Sequence, residues 1–159
     1  MIVISNATPV ISLSSVNQIG LLKSLFGKII ITGEVKSELL AKNRYGSRFP
    51  SLEWVEVLEI KNREFFEALA IELGAGEASI IALGKEIGSD FVIIDEKQGC
   101  NTAKYFGLST IRTLSILEAA KKAGLIASLK PLVLEMVYKG RWYKKELIEK
   151  FLRDNGEEY

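Results

Sequence analysis

Short apolar runs, each followed by an amphipathic stretch, set the rhythm of the chain. Met1-Ile2-Val3-Ile4 passes straight into Ser5-Asn6-Ala7-Thr8-Pro9. Residues 2 to 4 are expected to form a short buried strand, with Thr8 as N-cap and Pro9 at the first position of a helix. "VISLSSV" and "QIGLLKSLF" continue helically to Gly27. "KIIIT" is rich in β-branched residues and reads as a second strand. Gly33 then turns the chain into "EVKSELLAK", a helix with Val35, Leu39 and Leu40 near one face. "NRYGSRFPS" reads as a loop, and "LEWVEVLEI" alternates apolar and charged residues like an edge strand with one wet face.

Further along, "REFFEALAIEL" and "EASIIALGKEIG" read as helices separated by "GAGE". "DFVII" is apolar on both sides, as central parallel strands are, and Asp95-Glu96 follows at once. "KQGCNTAKYF" reads as a helix and "LSTI" as a last short strand. From Thr113 to about Arg153 the pattern is helical, with breaks near Gly124 and Gly140. Strands alternating with helices predict an α/β protein with a mainly parallel central sheet covered on both faces. Residues 1–159 are expected to form one domain, with the helices of about 113–153 packed on the same core.

Sites in such sheets gather where strands end at their carboxyl side. Asn6 follows the first strand, Glu38 lies one turn into the helix after the second, Glu77 opens the helix before "DFVII", and Asp95 and Glu96 end that strand. Oxygen ligands of this kind suit a hard divalent cation, and a cluster of them stays ionised only if a cation binds or some of the carboxyls gain proton affinity. Each residue also has a plainer reading taken alone. Asn6 serves as a turn residue, Glu38 as a solvated helix residue, Glu77 as a first-turn glutamate answering the helix dipole, and Asp95 as a cap of the following helix. Their shared position, rather than any one of them, favours a site.

Composition narrows the chemistry. The 159 residues are 48% hydrophobic and 26% charged, which suits a folded domain, and the net charge of +1 advertises no global basic field. The chain has no histidine and one cysteine, Cys100. Ser-His and Cys-His triads, HExxH zinc sites and internal disulfides are therefore excluded. No phosphate-cradling glycine motif is present. Neither a membrane span nor a secretory leader is apparent, so a cytoplasmic location is expected.

"SNATPVISLSSVNQIGLLKSLFGKIIITGEVKSELL", "LGAGEASIIALGKEIGSDFVIIDEKQGCNTAKYFGLSTIRTLSILEAAKKAGLI" and "GRWYKKELIEKFLRDNGE" together carry a resemblance along nearly the whole chain. They resemble the PIN-domain family, and within it the (VapC-like) branch related to the toxins of prokaryotic toxin–antitoxin pairs. The resemblance implies a three-layer α/β/α sandwich and a Mg²⁺- or Mn²⁺-dependent nuclease, most often a ribonuclease acting on an RNA substrate. It implies metal-site positions at Asn6, Glu38, Glu77 and Asp95, with Glu96 as a further candidate and Thr113 as a hydroxyl near the site. It also implies a homodimer and a small antitoxin partner. Asn6 stands where the family usually has aspartate, and Arg112 where the branch usually has glycine.

Two functions follow as expectations. One is a metal-dependent endoribonuclease of toxin type. The other is a PIN-like domain that has lost catalysis and binds RNA or a protein partner. Outside the acidic group, Trp142-Tyr143 lies between Lys139-Gly140-Arg141 and Lys144-Lys145, a pattern that can bind single strands by stacking and charge. The plainer expectation is a helix junction with Trp142 packed on the core. Lys42, Arg44 and Arg48 are expected either to touch phosphates or to form a solvated loop.

Overall fold

The computed structural model describes residues 1–42 and 45–159. Arg44 and the side chain of Lys42, two of the expected phosphate contacts, lie outside the described residues. Five strands form one sheet: β1 (Val3–Ser5), β2 (Ile29–Thr32), β3 (Val55–Leu58), β4 (Phe91–Ile93) and β5 (Thr110–Ile111). Every pairing is parallel, in the order β3-β2-β1-β4-β5. Between and after them run the helices α1 (Ala7–Ser15), α2 (Gly20–Phe26), α3 (Gly33–Lys42), α4 (Arg63–Ala70), α5 (Ala75–Ile87), α6 (Lys97–Tyr105), α7 (Thr113–Lys122), α8 (Lys130–Tyr138) and α9 (Lys145–Asp154). The result is the three-layer α/β/α arrangement that the alternation predicts.

The interior strands β1 and β2 are buried at every position, which accounts for their unbroken apolar, β-branched sequence. Val3, Ile4, Ile31 and Ile93 sit in one apolar cluster with Leu117, Val133, Met136, Ile148 and Leu152 of the later helices. The order of strands reverses at β1, whose neighbours are β2 on one side and β4 on the other. Such a reversal leaves a crevice at the carboxyl ends of the strands, between the connections that leave in opposite directions.

Several local expectations change. Helix α1 opens at Ala7, so Thr8 lies inside the first turn rather than at the cap, and Pro9 is the third helical residue. Asn6 takes the cap position, yet its side chain makes no capping hydrogen bond. In α3 the buried stripe is Val35 and Leu39, while Leu40 is 49% exposed. Positions four apart share a helical face and the next one turns away from it. β3 does lie at the sheet edge, but it is limited to four half-buried residues. A short 3₁₀ turn, Phe49–Ser51, interrupts the expected loop.

Beyond the apolar packing of the last helices, one carboxylate ties the end of the chain to α7 and to the start of α8. Glu157 accepts from Lys121 Nζ at 2.7 Å and from the backbone N–H groups of Leu129 (2.7 Å) and Lys130 (3.0 Å), where α8 begins. Burial alone would push this carboxyl up, but the hydrogen bonds from Lys121, Lys130 and Leu129 outweigh it and hold the group below its ordinary value of 4.5. A carboxyl lowered by folding contributes stability above its unfolded value, and that stability is lost as pH falls through the folded value. Glu157→Gln is therefore expected to cost about 1–3 kcal/mol at neutral pH, the usual cost of breaking a charge-assisted contact. The gap from wild type should close in acid. Thermal unfolding across pH 3–7 checks this, and a gap that persists below the carboxylate range would refute it.

Candidate functional site

The crevice at the strand ends is assembled by a chain of buried hydroxyls. Thr32, the last residue of β2, accepts the N–H of Val35 (3.1 Å) in the first turn of α3. Its hydroxyl also meets Ser79 Oγ of α5 at 2.6 Å, and Ser79 Oγ donates to Gly76 O at 2.7 Å. The end of β2 thus fixes the start of α3, which carries Glu38, against the start of α5, which carries Glu77. Asn6 is anchored through its backbone, whose N–H donates to Ile93 O at 2.9 Å across the β1–β4 join.

Asn6, Thr8, Glu38, Glu77 and Glu96 line a cleft of about 270 Å³ there, with Glu34 and Gly76. Glu96 holds its place through two donors on the opposite strand connection: Thr8 Oγ1 at 2.8 Å and Asn6 Nδ2 at 3.3 Å. That contact orients the Asn6 amide, because turning it over would set Oδ1 against a carboxylate. Asn6 is only 3% exposed, and its Oδ1 is buried without a hydrogen-bond partner. This oxygen and Glu38 Oε2 converge over Gly76: a methyl group at that glycine would lie 2.9 Å from each. Gly99 is a second bare position, against which Glu77 Oε2 packs.

Asp95 faces elsewhere. Its Oδ1 accepts the N–H of Thr113 at 2.8 Å and its Oδ2 the Thr113 hydroxyl at 2.7 Å. Taken alone, Asp95 reads in sequence as the cap of the next helix, α6; instead it serves the first N–H of α7, and Glu96 is the residue before α6. Consecutive side chains at a strand end point to opposite sides. Glu96 therefore enters the cleft with Asn6, Glu38 and Glu77, while Asp95, held by the buried Thr113, stands at the edge of a second cavity.

The electrostatics follow this layout. Burial pushes the Glu77 carboxyl above its ordinary value, and the charges of Glu96 and Glu38 add to the shift against the backbone N–H of Gly74. Burial also raises Asp95; the two Thr113 hydrogen bonds and the Arg112 charge pull the other way, and Glu96 adds to the rise. Among the described residues, no three carboxylates lie close enough to hold a metal ion as they stand. The donor set nevertheless fits a hard cation in kind. It offers only oxygen, it includes a buried acceptor with no partner in Asn6 Oδ1, and it crowds negative charge that a cation would offset.

The pattern of strand ends points to Asn6, Glu38, Glu77 and Asp95, with Glu96 beside it; the cleft takes Glu96 rather than Asp95, and the pattern misses Thr8, Glu34 and the two glycines. Thr8 looks like a cap in sequence, and "GAGE" looks like a helix breaker, yet Ala75 and Gly76 are the first residues of α5. Gly76→Ala tests the glycine. Alanine favours a helix interior over glycine by about 1 kcal/mol, but its methyl must displace Asn6 Oδ1 and Glu38 Oε2, so stability without metal should stay near wild type or fall slightly. The added methyl fills the space between Asn6 Oδ1 and Glu38 Oε2. Any rise in melting temperature that Mn²⁺ gives the wild type should therefore disappear in the variant, and an undiminished rise would show that the cation binds elsewhere.

No characterised protein matches the chain in a sequence comparison. No helix among the described residues is long and apolar enough to cross a membrane. The PIN-domain family model matches residues 2–157. Nearly the whole chain is covered, including every strand and the cleft at their ends, and the chain belongs to the PIN-domain family.

Proposed function

We propose that this chain is a metal-dependent ribonuclease of toxin type, with its Mg²⁺ or Mn²⁺ site in the cleft of Asn6, Glu38, Glu77 and Glu96. The PIN domain is a nuclease-type fold, and its members generally use divalent metal ions and bind RNA. The observation that carries the proposal is the buried, unpartnered Oδ1 of Asn6, set against Glu38 Oε2 at the point where the strand order reverses. When bound, a divalent cation supplies activation of a water molecule and counter-charge for the phosphodiester.

The protein's own residues prepare that site. Thr8 and the Asn6 amide fix Glu96, and the Thr32–Ser79 pair fixes the helix starts that carry Glu38 and Glu77. Thr113 fixes Asp95, which adds a further carboxylate and candidate ligand from the neighbouring position on the strand end. Arg112 lies next to Asp95 and forms no ion pair among the described residues, so it is available to a phosphate. The toxin role, the antitoxin partner and the homodimer rest on the resemblance to the toxin-related branch. The edge strand β3 is the backbone that such a partner or second copy could extend.

One observation favours the alternative, a PIN domain that binds RNA or protein without cleaving it. Asn6 carries no charge, and its amide already occupies Glu96. Cleavage of a mixed single-stranded RNA pool in Mn²⁺, Mg²⁺ or EDTA separates the two. Cleavage that requires the metal supports the nuclease; RNA binding with no cleavage by folded protein supports the alternative.

A further inference from the structure

The second cavity, at the edge of which Asp95 stands, measures about 630 Å³ and runs between the start of α7 and helix α9. Cavities of roughly 300–1,000 Å³ are the size that receives small ligands and single groups of larger ones. Its walls mix aromatic rings and cations: Trp142, Tyr143 and Phe151 with Lys97, Arg112 and Lys144. The expectation that Trp142 packs on the core is not met. Tyr143 is the ring that packs there, and Trp142 is 77% exposed. The two rings diverge just after Gly140, whose φ of +102° gives the turn between α8 and α9 a conformation that suits glycine.

The charges in this groove are unevenly committed. Its other carboxylate, Glu118, accepts from Asn155 Nδ2 at 2.9 Å and lies 3.7 Å from Lys122 Nζ. Asp95 is occupied by Thr113. Lys97, Arg112 and Lys144 form no ion pair among the described residues. An exposed indole beside two lysines outside any ion pair, and an arginine that Asp95 balances only through space, complements a ligand that joins flat apolar rings to negative charges.

We propose that this groove is a binding track for a single-stranded nucleic acid, with an unstacked base seated on Trp142 and its flanking phosphates met by Lys97, Arg112 and Lys144. The track deepens the nuclease reading, on which its relation to the cleft rests: consecutive residues of one strand end, Asp95 and Glu96, line the groove and the acidic cleft. An apolar peptide would use the rings but leave the cations unanswered. A duplex would keep its bases stacked and out of reach of the indole.

The test is equilibrium binding of a fluorescein-labelled single-stranded RNA octamer, with the same sequence as DNA and as an RNA duplex, in EDTA so that nothing is cleaved. Trp142→Ala is expected to weaken single-strand binding about tenfold at each salt concentration, and Trp142→Phe to keep most of it. Lys144→Gln should flatten the dependence of affinity on salt, which Trp142→Ala should leave unchanged. Equal weakening for RNA and DNA would identify the base and phosphates as what is read; weakening for RNA alone would add the 2′-hydroxyl. Single-strand affinity unchanged in Trp142→Ala overturns the track, leaving the groove for a protein segment, even if the wild type cleaves RNA. Trp142-dependent binding by a wild type that cleaves nothing in Mn²⁺ keeps the track and removes the nuclease.

Discussion

Asp95→Ala is expected to abolish metal-dependent cleavage and also to lower stability, while Asp95→Asn should abolish cleavage alone. The aspartate has two duties. Its Oδ1 accepts the first N–H of α7, and its Oδ2 accepts the Thr113 hydroxyl, both on a residue that is fully buried. Alanine leaves two buried donors without an acceptor, at about 1–3 kcal/mol for such a group. Asparagine keeps a carbonyl oxygen for the N–H, and its amide can donate to the hydroxyl oxygen, so the link to α7 survives. What asparagine removes is charge. Loss of one preorganised electrostatic contact to a developing charge costs about a hundredfold or more in rate. The pair of variants therefore separates architecture from chemistry. Thermal unfolding should show Asp95→Asn near wild type and Asp95→Ala several degrees lower, with cleavage lost in both. Cleavage at the wild-type rate by Asp95→Asn would remove Asp95 from the site.

Asn6→Asp is expected to reverse the response to metal. In EDTA the new carboxylate would sit where Nδ2 now donates to Glu96 at 3.3 Å, and it would face Glu38 across Gly76. A hydrogen bond becomes a repulsion between like charges, and the metal-free protein should melt several degrees lower than wild type. With Mn²⁺ the order should invert, because affinity for hard cations rises with the charge of the ligand set. Cleavage should strengthen in parallel. A variant that melts lower than wild type under both conditions, with no gain in cleavage, would mean that Asn6 does not contribute to a cation site. The wild-type amide acts as a compromise: it keeps an oxygen turned into the cleft and uses its nitrogen to hold Glu96 when no cation is present.

The strands and the cleft differ in how far sequence reveals them. Ile29–Thr32 is buried on both faces, so an unbroken β-branched run marks it; the same holds for Val92 and Ile93 in β4. Asn6, Glu38, Glu77 and the Asp95-Glu96 pair stand out because each lies just past a strand or in the first turns of a helix, where a parallel sheet opens. The direction in which Asp95 and Glu96 point is not legible, since it depends on which long-range donor reaches each one: Thr113, 18 residues on, or Thr8, 88 residues back. Thr8 misleads for a related reason. Threonine before proline is a good local cap, but here Asn6 takes that position and the hydroxyl is drawn to Glu96. Trp142 misleads because a large ring is usually taken into a core, and composition does not say which of two adjacent rings, Trp142 or Tyr143, is the one buried.

The junction of β1 with β4 has a kinetic consequence. Val3, Ile4 and Ser5 pair with Phe91, Val92 and Ile93, so the central strand gains its second partner only after most of the chain is available. The contacts that shape the cleft, Asn6 and Thr8 with Glu96, close loops of 90 and 88 residues. Loops of that size form late, since their closure entropy must be met before the contacts can repay it. No local fragment of the chain contains a rudimentary cleft. A refolding molecule can acquire helices early and still lack the cleft, so the proposed cleavage should return only with the slowest step that completes the sheet.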